Sequence, residues 1–390
     1  MNKYRITKLV CYVGFVVQAI INNFLPILFV SLQDNYGLDY EKLARLIVVN
    51  FGTQTVVDLL TPKITKRFGY RTTAFLSQFT ASLGLVMMGI LPTVMADKYL
   101  AICISAMVYA AGSGLMEVVL SPMVEILPSD NKRGSMQILH SFYCWGQAFT
   151  IIVTTALVGV FGSKNWSFVP LIWAVIPFVN AFFFLKVPII EPPADEKQAT
   201  FLELLKRHQF RGYMLMMLCA GASEIAMAQW ASLFAQRGLG VDKVIGDLAG
   251  PCAFAIFMGT ARAFYGKFSD RIPLMNMMIG SAALCIVCYL VAVFAGSPVM
   301  GLIGCAVCGF SVGIFWPGTF SVAALKLPTA GTAMYALMAL AGDLGCSSGP
   351  TVVGMVANAN SNNLKMGLLA AIIFPILILT GISILKRKKN

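Results

Sequence analysis

Twelve apolar stretches, each long enough to cross a bilayer, fill this chain almost from end to end. A spanning helix needs about 20 consecutive, mostly apolar residues. The stretches lie at 7–33, 41–61, 72–94, 98–127, 133–161, 165–187, 209–237, 242–267, 273–296, 298–326, 330–358 and 361–386, and are numbered here as spans one to twelve. Their runs are continuous rather than alternating in pairs, which predicts helices and not barrel strands. With 58% hydrophobic residues, 12% charged residues and a mean hydropathy of +0.78, the composition excludes a soluble domain of this size. Lys3 and Arg5 precede the first span and Lys8 lies at its start; the span is too long for a signal-peptide core and has no small-residue cleavage site. It is expected to remain in the mature protein.

The cations set an expected orientation. With the N-terminus in the cytoplasm, 21 of the 29 Lys and Arg residues fall on inner segments and seven on outer ones, while Arg262 lies within a span. This positive-inside bias predicts cytoplasmic termini and an even number of helices. The net charge of +12 therefore reports topology and contact with the lipid bilayer; the cations are scattered over short loops, which argues against a nucleic-acid partner.

All ten cysteines fall inside the spans, so a secreted disulfide framework is excluded by position. Cys285, Cys288, Cys305 and Cys308 imitate a two-pair zinc template, but they sit in apolar segments with no neighbouring charge to stabilise thiolates. Packing cysteines and no metal are expected. No Gly-x-x-x-x-Gly-Lys-Ser/Thr loop occurs, so ATP hydrolysis is not expected either.

One sizeable polar interval, 188–208, contains Pro-Pro and mixed charges and is expected to be a cytoplasmic linker, with a short amphipathic helix over Phe201 to Arg207. It divides the chain into an N-terminal six-helix bundle at 1–187 and a C-terminal one at 209–390. The halves repeat each other. Pro62 to Arg71 follows span two and Gly266 to Arg271 follows span eight, an alignment that brings Asp58 onto Arg262. Glu125-Ile126-Leu127-Pro128 and Leu325-Lys326-Leu327-Pro328 end spans four and ten, and Gly146-Gln147 matches Gly342-Asp343 in spans five and eleven. Internal duplication of this kind places a solute site between the halves near the bilayer midplane.

Six plus six spans, a central linker and basic loops after spans two and eight resemble the major facilitator superfamily along the whole chain. The superfamily loop reads Gly-x-x-x-Asp-Arg-x-Gly-x-Arg. The second copy keeps Gly266, Asp270 and Arg271, and the first keeps Arg67, Gly69 and Arg71 but has Pro62 and Lys66 at the glycine and aspartate positions. Gly114-Leu115-Met116-Glu117, Ser121-Pro122, Arg133, Leu139-His140-Ser141-Phe142 and Gly146 further resemble the fucose permease branch. That resemblance implies an all-α membrane protein of two pseudo-symmetric six-helix bundles, symport of a neutral sugar with protons, and a coupling role for Glu117. Met116, Ser121 and His140 replace the branch's leucine, asparagine and glutamine, and span one offers Gln18, Asn22 and Asn23 but no aspartate. The sugar and the coupling ion therefore stay open.

The buried polar residues form the candidate site. A carboxylate deep in a bilayer costs a few kcal/mol on insertion scales, so it faces a cavity or a partner. Glu117, Glu224 and Asp343 lie near the centres of spans four, seven and eleven, and such acids suit a carrier that loads a proton on one side and releases it on the other. The alternative for each is neutralisation by an interhelical hydrogen bond. His140, within span five, is a further proton-relay candidate or a neutral partner for Glu117. Asp58, Arg67, Arg71, Arg262, Asp270 and Arg271 are assigned to gating, with Arg262 expected to pair with Asp343 or Asp58; a snorkelling helix-end charge is the alternative for Arg262.

For solute contact the candidates are Gln18, Asn22, Asn23, Gln147, Gln229, Trp230, Phe315 and Trp316, because amides read hydroxyl groups and an aromatic face packs on a sugar ring. Amides that merely join helices are the competing explanation. The leading expectation is a monomeric, proton-coupled symporter of a sugar or similar small polar solute, without a cofactor beyond the coupling proton, in a bacterial inner membrane. Proton-driven multidrug efflux is the alternative, suggested by 21 methionines and 27 phenylalanines. A membrane sensor or an enzyme is not expected: no output domain and no nucleophile constellation is evident.

Overall fold

The structure, a computed structural model, describes residues 4–38, 40–128, 132–191, 199–268, 271–327, 330–361 and 363–387. Its described residues form helices and no strand. Among them, ten helices are long and apolar enough to span a membrane. One of these runs through spans two and three as Tyr40–Val94, turning at Gly69, whose φ of 77° lies in the left-handed region that glycine tolerates. With the less apolar Gly331–Ala359, which is span eleven, the twelve expected spans are all helical. The protein is an all-α, multi-pass membrane protein.

Span one is Arg5–Ile27, span four Lys98–Ile126, span five Lys132–Phe161, span six Phe168–Lys186, span seven His208–Leu233 and span nine Leu274–Phe294. Four spans are interrupted. Span one breaks after Pro26 and continues as Phe29–Tyr36, and span eight reaches Ala253–Phe268 through a π-turn at Leu248–Cys252 that contains Pro251. Span ten divides into Pro298–Val312 and Phe315–Lys326 around Gly313, and span twelve into Leu364–Ala371 and Ile373–Arg387. Proline removes a backbone donor and π-turns expose carbonyls, so these are the places where a transporter helix can bend.

Some helix starts carry side-chain caps for the orphan N–H groups. Asp97 accepts from Leu100 N at 2.9 Å ahead of span four, and Ser297 caps span ten with Pro298 in its first turn. The linker helix Phe201–Lys206 opens with a reciprocal Thr200/Glu203 capping box, and those hydrogen bonds to Thr200 hold the exposed Glu203 carboxyl below its ordinary pKa.

Span one packs on spans four, five and six, and the Tyr40–Val94 helix packs on spans four and six. In the other half span seven packs on eleven and twelve, and span nine on ten and twelve. Spans five and eight, and the Tyr40–Val94 helix and span eleven, form the long seams between these groups. At the end of the molecule that carries the termini, span four also meets span eleven and Phe315–Lys326 meets span five. There the hydroxyls of Tyr70 and Thr332 lie 3.0 Å apart, both residues buried. Tyr70→Phe is expected to cost ~1 kcal/mol, the net worth of one buried hydrogen bond. The melting midpoint of the purified protein in detergent measures it, and Thr332→Val should give a similar loss.

Candidate functional site

A cavity of about 460 Å³ lies between the two groups of helices, lined by residues from spans one, two, four, five, seven, eight, ten and eleven. Glu117, His140, Glu224, Arg262 and Asp343 all line it, with Gln18, Asn22 and Trp316. Polar residues scattered over separate spans thus converge on one place. Phe15, Phe51, Tyr143, Ile225 and Cys346 complete the wall. These apolar members carry no signal in an already apolar span; only their helical register relative to Gln18, His140 and Glu224 could have pointed to them.

The acids are held in three different ways. Glu117 Oε2 accepts from Gln18 Nε2 at 2.7 Å, a contact between spans four and one. Glu224 accepts from Arg262 Nη2 at 3.2 Å, with both side chains buried. Arg262 also donates from Nε to the Gly313 carbonyl at 2.7 Å and from Nη1 to the His140 carbonyl at 3.0 Å. It thereby pins the break in span ten to spans five and seven. This corrects the expected pairing: Arg262 binds Glu224 and neither Asp58 nor Asp343, and it is a fully buried cavity residue, not a snorkelling helix end. Asp58 instead faces Asp343 across spans two and eleven.

Of the two roles considered for His140, a hydrogen bond to Glu117 is not seen: its Nε2 makes no hydrogen bond, and the ring stands edge-on to Phe15 at 4.8 Å and beside Phe320 at 6.0 Å. Asn22 belongs to an amide chain, its Oδ1 accepting from Asn50 Nδ2 at 2.9 Å and Gln54 Nε2 at 3.1 Å, while Ser113 donates to Gln54 Oε1 at 3.0 Å. Asn50 and Gln54 were not singled out from the sequence, although both recur on the face of span two that carries Asp58.

The remaining solute candidates separate. Gln229 lines a neighbouring cavity of about 270 Å³ that shares Asn22 and Phe51 with the first and extends past Pro26 and Phe29. Asn23 turns to the Ala19 carbonyl at 2.8 Å and the Tyr143 hydroxyl at 3.4 Å. Trp230 donates to the Pro350 carbonyl at 3.1 Å, and neither Gln147 nor Phe315 is among the lining residues of either cavity, though both are buried.

Of the gating candidates, Arg67 and Arg71 sit at the terminus-bearing end. Arg71 Nη1 donates to the Phe184 and Leu185 carbonyls at 3.0 and 2.7 Å, and Arg67 lies over the Phe68 ring. Glu191, at the start of the linker, accepts from the Tyr70 backbone N–H at 3.0 Å and from that of Arg71 at 3.3 Å, where the helix after Gly69 begins. Arg271 is exposed, and Asp270 lies outside the described residues. The four cysteines of the zinc-like spacing are buried among the apolar side chains of spans nine and ten.

The sequence of residues 10–350 matches the family model of the Major Facilitator Superfamily. The chain belongs to that superfamily. Among solved structures it resembles FucP, a major facilitator superfamily transporter in the outward conformation, at 18% identity and a TM-score of 0.78, covering 98% of this chain and 99% of that one. A single-substitution variant of the E. coli fucose:proton symporter FucP gives 16% identity and the same TM-score of 0.78, over 98% and 99% of the two chains. The proton:xylose symporter XylE, bound to 6-bromo-6-deoxy-D-glucose, gives 12% identity and a TM-score of 0.82 over 99% and 96%. At these identities the likeness establishes the fold. No curated protein sequence is significantly similar to the chain. As a superfamily member the protein is a transporter of the major facilitator fold, and its cavity is the feature on which a solute assignment rests.

Proposed function

We propose that this transporter is a proton-coupled symporter of a neutral sugar or similar polyhydroxylated solute. The observation that carries the reading is the Gln18–Glu117 contact in the wall of the central cavity. Among the described lining residues the single arginine is engaged with Glu224, and the partner of Glu117 is an amide, so a proton is the positive charge that can accompany Glu117. Protonation would add a donor to Glu117, which is acceptor-only when ionised, and alter what Glu117 and Gln18 together can offer a solute hydroxyl. Asn22 supplies further amide groups, and Phe15, Phe51, Tyr143 and Trp316 supply ring faces for the apolar side of a sugar. The solved fucose:proton and proton:xylose symporters of the same fold support this choice of solute class.

The positive-inside distribution supports cytoplasmic termini, and a bacterial inner membrane is the setting proposed. Residues 1–187 and 209–390 would rock about the cavity as two bodies, with 188–208 joining them. In that orientation the Tyr70–Thr332 contact belongs to the inner gate, and the cavity holding Gln229 lies on the external approach.

Uptake by the purified protein in proteoliposomes tests the reading, with labelled hexoses, deoxyhexoses and disaccharides and with or without an inward proton gradient. Gradient-driven accumulation is expected in the wild type. Glu117→Gln should abolish accumulation while retaining solute exchange across the membrane. If no sugar moves but lipophilic cations are expelled by a proton gradient, the symport reading is wrong and efflux replaces it.

A further inference from the structure

Asp58 and Asp343 belong to different halves of the chain and meet inside the seam between spans two and eleven. Their relative exposures are 0% and 1%, with Asp343 also in the lining of the central cavity. Neither Asp58 oxygen has a hydrogen-bond donor from the protein, and Asp343 Oδ2 has none. Buried carboxylate oxygens without donors are uncommon in folded proteins and call for an explanation. Here the two unsatisfied groups face each other. Two ionised carboxylates side by side in a medium of low dielectric repel, whereas one proton between them turns the same contact into a short, charge-assisted hydrogen bond.

We propose that Asp58 and Asp343 form a proton-binding site that clamps the two halves together, with a single proton held between one carboxyl oxygen of each. The surroundings favour a proton over another cation. The charged neighbour of both residues is Glu117, also acidic, and Cys346 lies beside Asp343. Beyond them Glu224 is matched by Arg262, which also stands beside His140. Among the described residues no group of three or more His, Cys, Asp or Glu side chains is arranged to hold a metal ion. Loss of the proton leaves two like charges in the seam, and their separation requires span eleven to part from span two. The clamp thus adds a second protonation site to the transporter, distinct from the Gln18–Glu117 contact but neighbouring it through Glu117. It rests on the proposed proton coupling but not on the identity of the solute.

Infrared spectroscopy of the purified full-length protein reads the site without any transport. Glu117→Gln serves as the background, which removes that residue's own signal. A protonated-carboxyl carbonyl band that shifts in deuterated buffer is expected at neutral pH in this background. It should be lost when either Asp58→Asn or Asp343→Asn is added, because the new amide donates to the remaining carboxylate. Its absence in the Glu117→Gln protein, or its survival in both double variants, would overturn the site.

The clamp is read by maleimide labelling of Thr332→Cys, corrected for the native cysteines. Normalised at each pH to a fully exposed single-cysteine control, which removes the thiolate's own pH dependence, labelling should rise about tenfold from mildly acidic to mildly alkaline buffer and stay flat when Asp58→Asn is added. An equal rise in both proteins would remove the clamping role. Because these measurements involve no sugar, their failure and the failure of sugar symport are separate results.

Discussion

Arg262→Met is expected to destabilise the protein by ~3–5 kcal/mol and to abolish solute accumulation, because it strands the buried Glu224 carboxylate. Arg262 does more than neutralise one acid. Its three nitrogens reach Glu224, the His140 carbonyl and the Gly313 carbonyl, so it joins spans five, seven, eight and ten at the wall of the cavity. Arg262→Lys should lose most of the same function, since one ammonium cannot satisfy this fork of partners. Adding Glu224→Gln to Arg262→Met should recover most of the lost stability but little transport. The melting midpoint in detergent and accumulation in proteoliposomes distinguish the two contributions. Full stability of Arg262→Met alone would mean that Glu224 is not held as an ion pair.

Gly345→Val is expected to be comparably severe, at ~3 kcal/mol or more, for a steric reason. Spans seven and eleven touch backbone to backbone. A Cβ at Gly345 would strike the Leu218 carbonyl, one at Gly349 would strike Ala222, and one at Gly221 would strike the Gly342 carbonyl. A main-chain atom cannot swing aside as a side chain can, so the helices must separate, and with them Glu224 and Asp343. Gly280→Val is the control, as nothing lies within 4 Å of a Cβ there. The yield of monodisperse protein in size-exclusion chromatography should fall sharply for Gly345→Val and hardly change for Gly280→Val.

Much of the architecture was legible because a bilayer leaves so few solutions: twelve long apolar runs must become helices, and ionisable residues within them must turn inward. Glu117, Glu224, Asp343 and His140 were found in this way, and all four line the cavity. Pairing was not legible. Aligning the two halves places Asp58 opposite Arg262 in sequence, but partnership depends on helix rotation and on which backbones approach, which gives Asp58 to Asp343 and Arg262 to Glu224. The same limit applies to adjacent residues. Phe315 and Trp316 differ by one helical step of roughly 100°, and the second faces the cavity while the first does not line it. Phe15, Phe51 and Ile225 were invisible because an apolar wall residue and an apolar lipid-facing residue look alike in such a chain.

Tyr70 follows a glycine turn and bears contacts at both its ends. Its backbone N–H is held by Glu191 of the linker, and its hydroxyl meets Thr332 of span eleven. Strap, hinge and opposite half therefore converge on one residue, which works like the pin of a three-bar linkage. Any displacement of one bar must be shared by the other two or break a named bond, so Tyr70 ties Glu191 and span eleven to the turn at Gly69.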